Sequence, residues 1–282
     1  MAAVLFNNRM TSDDTVGALL ANRGFLYGDG FFETIVLRNG HVFFLDAHLE
    51  RALTALHVLQ LPFDKMWDIT RLKALLLELW KKNGSPKEAV FKWMVWRNSE
   101  GLYSPSHTGD SHYLLELKAY RSAPAVKEQA YLATTVTNVP SIYSSFKRLS
   151  SLHYVMAGLE KNNRKADELI LSDQYGNLSE ATSSGLFWIM NNTLFTPSLD
   201  TGCVEGVVRK SIFKWASASS VKIEETKAVI SSLTEEATIF TGNIAGLSLI
   251  GKLENTVFQN DHILYNQLKQ DLFHTTSFSQ SL

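Results

Sequence analysis

Two apolar, β-prone runs stand out early in the chain, at 31–37 and 41–45, and Arg38-Asn39-Gly40 separates them. Asn-Gly between two such runs is a strong hairpin signal, because both residues tolerate the positive φ angles of a tight turn. The preceding Gly28-Asp29-Gly30 lacks the Gly-Lys-Ser/Thr of a phosphate loop and the third glycine of a dinucleotide fingerprint. We therefore predict a hairpin and interpret these glycines as structural.

Helical periodicity follows the hairpin. Asp46 can cap a helix over 47–59, where apolar residues recur at helical spacing and form one face. A second helix is predicted over 64–82, ending at Asn83-Gly84, a typical helix stop.

The rest of the chain contains segments with the periodicity of strands and segments with the periodicity of helices. Strands are predicted over 89–96, 112–119, 131–139, 168–172, 186–190, 193–195, 221–225 and 237–240, and helices over 150–165 and from Gly206 to about 217. Turns are predicted at 173–177 and at Asn191-Asn192. The polar, proline-containing segment 118–127 is the best linker candidate, and the last ten residues are predicted to be a loose tail.

Composition narrows the class of protein. The chain has 282 residues, 45% hydrophobic and 20% charged, which is typical of a soluble globular protein. Its net charge of −1 and the absence of a long basic run argue against nucleic-acid and acidic-membrane partners. No stretch approaches the roughly 18 apolar residues of a membrane span, and the single cysteine, Cys203, fits a reducing compartment. We expect a cytoplasmic protein.

Four residues are candidates for chemistry on position alone. Lys147 lies where an extended segment meets a helix start, a usual place for functional side chains, although most lysines are simply solvated. Glu180 follows the turn at 173–177, where an exposed hairpin glutamate is the alternative. His48 and Arg51 are three residues apart and so lie near one another on a helix. We interpret His48 as a helix-packing residue, and a surface ion pair is the ordinary interpretation of Arg51. No histidine pair has the spacing of a metal hydrolase.

Together these residues form an ordered pattern over most of the chain. The pattern is Gly-Asp-Gly-x-x-Glu at 28–33, His48-x-x-Arg51, Lys147, Glu180, Gly-x-x-Arg at 206–209 and Thr241-Gly242-Asn243. It resembles the class IV (fold-type IV) pyridoxal-phosphate enzymes, namely branched-chain aminotransferases, D-amino-acid aminotransferases and aminodeoxychorismate lyases. The resemblance implies an α/β (α+β) fold of two domains, over 1–120 and 121–282, and a homodimer.

The resemblance also implies a role for each motif. Lys147 would bind pyridoxal 5'-phosphate covalently and act as the catalytic base, and Glu180 would face the ring nitrogen. Arg51 would bind the phosphate. The helix start at Gly206, Val207 and Val208, with Ser211 in its first turn, and the turn at Thr241, Gly242 and Asn243 would enclose the phosphate from two sides. Phe32, Glu33 and Arg97 are the substrate candidates, with backbone hydrogen bonding as the alternative for Arg97.

Three positions depart from the relatives' pattern. Leu102 stands where D-amino-acid aminotransferases and bacterial lyases resemble each other in carrying a second arginine, and Ser150 and Gly185 stand where relatives commonly have asparagine. We expect amino-group transfer between an amino acid and a 2-oxo acid. The alternatives are an aminodeoxychorismate lyase, which the turn 241–246 also resembles, and a degenerate relative that binds a ligand without turnover.

Overall fold

The computed structural model describes residues 3–6, 9–12, 17, 22–62, 68–106, 110–274 and 277–282. Its helices are α1 (Arg23–Tyr27), α2 (Leu45–Val58), α3 (Ile69–Lys82), α4 (Leu152–Asn163), α5 (Val207–Ala218) and α6 (Ile263–Phe273), with 3-10 turns at Leu199–Thr201 and Ile230–Ser232. Its strands are β1 (Ala3–Phe6), β2 (Arg9–Ser12), β3 (Gly30–Arg38), β4 (His41–Phe43), β5 (Glu88–Arg97), β6 (Ser111–Lys118), β7 (Val126–Lys127), β8 (Ala130–Leu132), β9 (Glu168–Ser172), β10 (Leu178–Ala181), β11 (Gly185–Met190), β12 (Thr193–Pro197), β13 (Ile223–Thr226), β14 (Thr238–Asn243), β15 (Gly246–Ile250), β16 (Lys252–Leu253), β17 (Thr256–Val257) and β18 (Ser279–Ser281).

The first large sheet contains the predicted hairpin. Its five strands run in the order β18-β4-β3-β5-β6, and β3 turns into β4 at Asn39 and Gly40, with φ of 50° and 76°. One face packs against α2 and α3 through buried apolar side chains that include Phe31, Ile35 and Trp93. Burying that face fixes the register of β3 and leaves Phe32 on the opposite side.

The C-terminal residues belong to this sheet. Ser279–Ser281 pairs antiparallel with His41–Phe43, and the backbone N–H of Leu282 donates to the carbonyl of Gly40 at 3.0 Å. The prediction of a loose tail is therefore wrong for these residues. A three-residue polar strand carries almost no sequence signal, since its partner is more than 200 residues away.

Two further sheets form the rest of the molecule. One has the order β13-β12-β11-β14-β15-β7 and the other β10-β9-β8-β16-β17. Helices α5 and α6 pack on the six-stranded sheet through a cluster that includes Ile212, Trp215, Phe240 and Leu268. The predicted linker over 118–127 is only partly irregular, because Lys118 ends β6 and Val126–Lys127 forms β7 in the six-stranded sheet. The two-domain division stays a prediction.

Most predicted elements are present with shifted ends. The helix predicted from Asp46 begins at Leu45, after Phe44 in a left-handed conformation, and Asp46 lies inside its first turn and makes no cap. The strand predicted over 131–139 ends at Leu132, after which only Asn138 forms a bridge, to Asp173. The predicted start of α3 at 64 lies outside the described residues, and its end at Asn83-Gly84 is confirmed.

Close backbone contacts explain the early glycines. Gly28 has φ of 63°, and a Cβ atom there would lie 2.8 Å from the backbone nitrogen of Ser150. A Cβ atom at Gly30 would lie 2.1 Å from the carbonyl oxygen of Val95. Both positions therefore require glycine, and the interpretation of these glycines as structural is confirmed.

Among the described residues, no helix combines the length and apolar character needed to cross a bilayer.

Candidate active site

A cavity of about 320 Å³ lies where the first sheet meets the other two. Its walls come from β3, α2, the segment before α4, β10, β11, the start of α5 and the end of β14. The lining residues are Phe32, Arg51, Lys147, Ser151, Tyr154, Glu180, Ala181, Thr182, Ser183, Ser184, Gly185, Val204, Gly206, Val207, Val208, Gly242, Asn243 and Ile244.

Backbone contacts with β3 position Lys147. The N–H of Phe32 donates to the carbonyl of Lys147 at 2.9 Å, and the N–H of Leu149 donates to the carbonyl of Gly30 at 3.0 Å. These two hydrogen bonds attach the irregular segment around Lys147 to β3. The backbone of Lys147 is therefore fixed, and its side chain extends into the cavity. Its Nζ lies 5.6 Å from the centre of the Phe32 ring.

The surroundings of Lys147 favour a neutral amine. Burial and the positive charge of Arg51 lower the pKa of Lys147 to about 8, although Glu33 and Glu180 act in the opposite direction. An amine with this pKa is a better nucleophile and base near neutral pH than a solvated lysine. Lys147 therefore has the properties of a reactive lysine.

Glu180 is buried and held by three donors. Its Oε1 accepts hydrogen bonds from the Tyr154 hydroxyl at 2.7 Å and the Asn138 amide at 2.9 Å, and its Oε2 accepts the Val204 N–H at 3.2 Å. Burial raises the pKa of Glu180 above its usual range, although these bonds and Lys147 oppose that shift. A fixed, desolvated carboxylate on the wall is thus suited to a cationic N–H group in the cavity.

Arg51 is held by a buried acid. Glu33 accepts the Arg51 Nε at 2.7 Å on Oε1 and the Arg51 Nη2 at 2.6 Å on Oε2, and it also accepts the His48 Nδ1–H at 2.6 Å. Burial alone would raise the pKa of Glu33, but Arg51 and the hydrogen bonds lower it to about 2. Arg51 Nη1 has only a 3.5 Å contact, with the carbonyl of Glu205, so it is the guanidinium nitrogen available to an anion.

The start of α5 and the end of β14 form the opposite end of the cavity. Gly206 caps α5 without a side-chain hydrogen bond, which leaves N–H groups of its first turn as free donors. At Gly242 a Cβ atom would lie 2.8 Å from Leu247 Cδ2 and 3.3 Å from Val208 Cγ1. Free N–H donors at a helix start can bind a phosphate group.

The structure corrects several predicted roles. Glu33 does not line the cavity, because its carboxylate is bonded to Arg51 and His48. Thr241 is also absent from the lining, because its hydroxyl points away and accepts the Lys127 Nζ at 2.9 Å. Successive strand residues face opposite sides, so Thr241 and Gly242 cannot both face the cavity.

Arg97 also makes its hydrogen bonds outside the cavity. Its Nε donates to Asp29 Oδ2 at 3.0 Å, and its Nη2 and Nη1 donate to the carbonyls of Leu59 and Gln60. The alternative of backbone hydrogen bonding is confirmed, and Arg97 does not line the cavity. Ser211 donates to the carbonyl of Val207 within its own helix, and Arg209 pairs with Glu225, so neither contributes to the phosphate end of the cavity.

Other residues at or next to the cavity carried no sequence signal. Tyr154, which bonds Glu180, is one of nine tyrosines, and Asn138 reaches the same carboxylate from a segment predicted to be a strand. The run Thr182-Ser183-Ser184 reads as an ordinary polar turn. The Asn243 amide donates to the Ser183 carbonyl and the Ser184 hydroxyl, which ties this turn to β14.

The cavity fits pyridoxal phosphate by its own chemistry. It supplies an amine with a lowered pKa, a buried carboxylate without a cationic hydrogen-bond partner, and the free N–H donors of a helix start. Arg51 adds a fixed positive charge at the phosphate end of the cavity. These groups match what the cofactor requires of a protein.

Comparisons with known proteins identify the family. The model of the family described as amino-transferase class IV matches residues 30–250. A putative branched-chain-amino-acid aminotransferase of Methanocaldococcus jannaschii is 24% identical over 268 residues, covering 92% of this chain and 91% of that protein. The aminodeoxychorismate lyase of Bacillus subtilis is 29% identical over 240 residues, covering 83% and 80%.

Solved structures with a similar fold come from the same group of enzymes. The branched-chain amino acid aminotransferase of Escherichia coli superposes with a TM-score of 0.82 at 19% identity, covering 97% of this chain and 93% of that one. The predicted fold class and the resemblance drawn from the motifs are both confirmed. The chain belongs to the class IV aminotransferase family.

Proposed function

We propose that the protein binds pyridoxal phosphate through Lys147 and transfers an amino group between an amino acid and a 2-oxo acid. The observation that carries the proposal is that Lys147 and Glu180 line one cavity together with the unoccupied donors of the α5 start. A degenerate binding protein would have no need of a lysine with a pKa of about 8.

Each residue at the site has a role that follows from its position. When bound, pyridoxal phosphate supplies an electron-accepting ring that stabilises negative charge on the substrate carbon. Lys147 Nζ would hold the cofactor, and as a free amine it would take and return the proton at the substrate carbon. Tyr154 and Asn138 hold the carboxylate of Glu180 in place, and this carboxylate would keep the ring nitrogen of the cofactor protonated.

The residues at the phosphate end of the cavity have the role of binding the cofactor. Glu33 fixes the guanidinium plane of Arg51 with two hydrogen bonds. Arg51 Nη1 and the N–H groups of Val207 and Val208 would hold the phosphate dianion. Gly242 lines the same end of the cavity, where a Cβ atom would overlap the side chain of Leu247. These contacts anchor the cofactor independently of its covalent bond to Lys147.

A second candidate is the release of pyruvate from aminodeoxychorismate, leaving 4-aminobenzoate. The observation that favours it is the turn 241–246, in which Asn243 Oδ1 accepts the Ala245 N–H at 2.8 Å and orders the segment that resembles the lyases' turn. Lys147 and Glu180 would serve both reactions, so the two candidates differ in substrate rather than in cofactor site.

The deciding experiment is the visible spectrum of the purified protein loaded with pyridoxal phosphate. Wild type should be yellow and Lys147→Ala should not. Loss of the yellow band with release of an oxo acid, on adding D-alanine, L-glutamate or L-leucine, would establish amino-group transfer. Pyruvate and 4-aminobenzoate from aminodeoxychorismate, with the band retained, would establish the lyase. A protein that cannot be loaded would overturn both.

We also propose a homodimer. Large apolar side chains on both sides of Lys147 in the chain are exposed, namely Val139, Ile142, Tyr143, Leu152, Val155, Met156 and Leu159. Monomeric proteins rarely expose so many neighbouring apolar residues without a partner. A second copy of the chain would cover this surface.

A further inference from the structure

The chain directly before α5 contacts three parts of the candidate active site through its backbone. The N–H of Val204 donates to Glu180 Oε2 at 3.2 Å. The N–H of Glu205 donates to the carbonyl of Ser145, in the segment that carries the reactive lysine, at 3.0 Å. The carbonyl of Glu205 contacts Arg51 Nη1 at 3.5 Å. A shift of this part of the chain would therefore change both ends of the cavity.

A lysine on α5 fixes this part of the chain from outside the cavity. Lys210 Nζ lies 3.4 Å from Glu205 Oε2 and 3.0 Å from Glu50 Oε1. Glu50 directly precedes Arg51 on α2, so one ammonium group joins α2 to the chain before α5. The side chain of Lys210 is only 15% exposed, and it does not line the cavity. The two ion pairs thus hold together the two helices that carry the phosphate donors.

The dipole of α5 does not favour a lysine at this position. Lys210 is the fourth residue of the helix, and a positive charge near a helix N-terminus is unfavourable. Lys214, one turn later on the same helix, is exposed to solvent. The carboxylates of Glu50 and Glu205, rather than helix stability, account for the placement of Lys210.

We propose that Lys210 is a positioning residue for the cofactor phosphate. By pairing with Glu50 and Glu205, it keeps Arg51 and the free N–H groups of the α5 start at the separation that one phosphate group can span. The proposal rests on the proposed function and adds to it a residue outside the cavity. Without these pairs the α5 start would move more freely against α2, which would weaken binding of the phosphate but not of the cofactor ring.

The test is a calorimetric titration of the cofactor-free protein with pyridoxamine 5'-phosphate and with pyridoxamine. The two ligands differ only in the phosphate, and neither forms a covalent bond with a lysine. We expect Lys210→Met to bind pyridoxamine 5'-phosphate about fivefold more weakly than wild type, the effect of one partly exposed ion pair. Its affinity for pyridoxamine should be unchanged. Lys210→Arg should retain both affinities, because a guanidinium can also bridge two carboxylates.

A second variant, Glu205→Gln, separates position from charge. By charge alone, removing a carboxylate beside the α5 start would strengthen phosphate binding, whereas loss of the ion pair with Lys210 should weaken it about fivefold. Lys214→Met is the matched control, because it removes the same charge from an exposed position on the same helix. It should leave both affinities unchanged.

Four outcomes would overturn the proposal. They are an unchanged affinity of Lys210→Met for pyridoxamine 5'-phosphate, an equal loss for both ligands in that variant, tighter binding by Glu205→Gln, and a loss of the same size in Lys214→Met. A wild-type protein that binds neither ligand would instead overturn the proposed function, and the positioning role of Lys210 with it.

Discussion

At the level of single residues, the charge of Lys147 governs the chemistry of the cavity. Burial and Arg51 lower its pKa to about 8, so the neutral amine accumulates far below the pH at which a solvated lysine, with a pKa of about 10, loses its proton. The position of this one nitrogen between Arg51, Glu33 and Glu180 therefore sets the pH range of the reaction.

The first prediction concerns the rate of cofactor attachment. Because the neutral amine is the nucleophile, the rate at which the yellow band forms should rise with pH and level off above about pH 8. Stopped-flow absorbance across this range would measure it, with Lys147→Arg as a blank that forms no band. A rate that keeps rising towards pH 10 would mean that Lys147 is an ordinary lysine.

A second prediction concerns Glu33. Glu33→Gln would leave Arg51 buried without its counter-ion, which costs about 3 kcal/mol of unfolding free energy and weakens phosphate binding. Urea unfolding of the purified variant would measure the loss. Glu116→Gln, which removes an exposed pair with Lys118, should change stability by less than about 1 kcal/mol. Equal effects of the two variants would contradict a structural role for the buried pair.

The same pair gives a pH dependence. The pKa of Glu33 falls from an ordinary carboxyl value to about 2 on folding, so its stabilising effect is complete above about pH 4.5. It is lost as pH falls through that value towards pH 2. In Glu33→Gln, acid unfolding should therefore be less steep than in wild type over this range.

At the level of elements, the site depends on how closely the segment around Lys147 docks on β3. Gly30 accepts a hydrogen bond from Leu149, and its α-carbon faces the carbonyl of Val95 without space for a side chain. This close contact allows the backbone N–H of Phe32 to donate to the carbonyl of Lys147. A displacement of β3 would therefore move Phe32 and Lys147 together.

The third prediction tests this contact. Gly30→Ala should destabilise the protein by about 3 kcal/mol, because the added methyl would overlap backbone atoms that cannot move aside. Gly158→Ala, in the middle of α4 with nothing near the added methyl, should instead stabilise by about 1 kcal/mol. Thermal unfolding of both variants would measure the difference, and a neutral Gly30→Ala would show that the strand tolerates displacement.

At the scale of the whole molecule, the C-terminal strand pairs with β4, a strand more than 200 residues earlier in the chain. Phe278 packs on Phe44, Gln280 bonds Asp46 at 2.8 Å, and Leu282 lies against the core beneath the first sheet. This strand covers the edge of β4 directly before α2, the helix that carries Arg51.

The fourth prediction follows from that connection. Removing residues 279–282 should lower the unfolding free energy by about 2 kcal/mol, from the lost Leu282 burial and backbone hydrogen bonds. Gln280→Ala, which removes only an exposed hydrogen bond, should cost less than about 1 kcal/mol. A truncated protein with unchanged denaturant midpoint would mean that the strand contributes nothing to stability.

The fifth prediction concerns assembly. Val155 is 54% exposed within the apolar surface beside Lys147, and Val155→Asp should convert the proposed dimer to a monomer in sedimentation velocity. Val257→Asp, at a similarly exposed valine of β17, should leave the dimer intact. A wild-type protein that sediments as a fully active monomer would refute the dimer.

The sequence alone determined the local elements and the order of the motifs. Asn39-Gly40, Asn191-Asn192 and the apolar helix faces act through neighbouring residues, so turn chemistry and periodicity predicted them. The order of Lys147, Glu180 and the Gly206 helix start likewise carried the family resemblance. The cytoplasmic location stays a prediction.

Only the tertiary structure decided what each side chain contacts. Glu33 and Thr241 belong to motif segments yet face away from the cavity, because strand alternation and packing against Arg51 and Lys127 set their direction. Tyr154, Asn138 and the C-terminal strand have partners distant in sequence. Such contacts depend on packing between elements, which the pattern of any one segment does not encode.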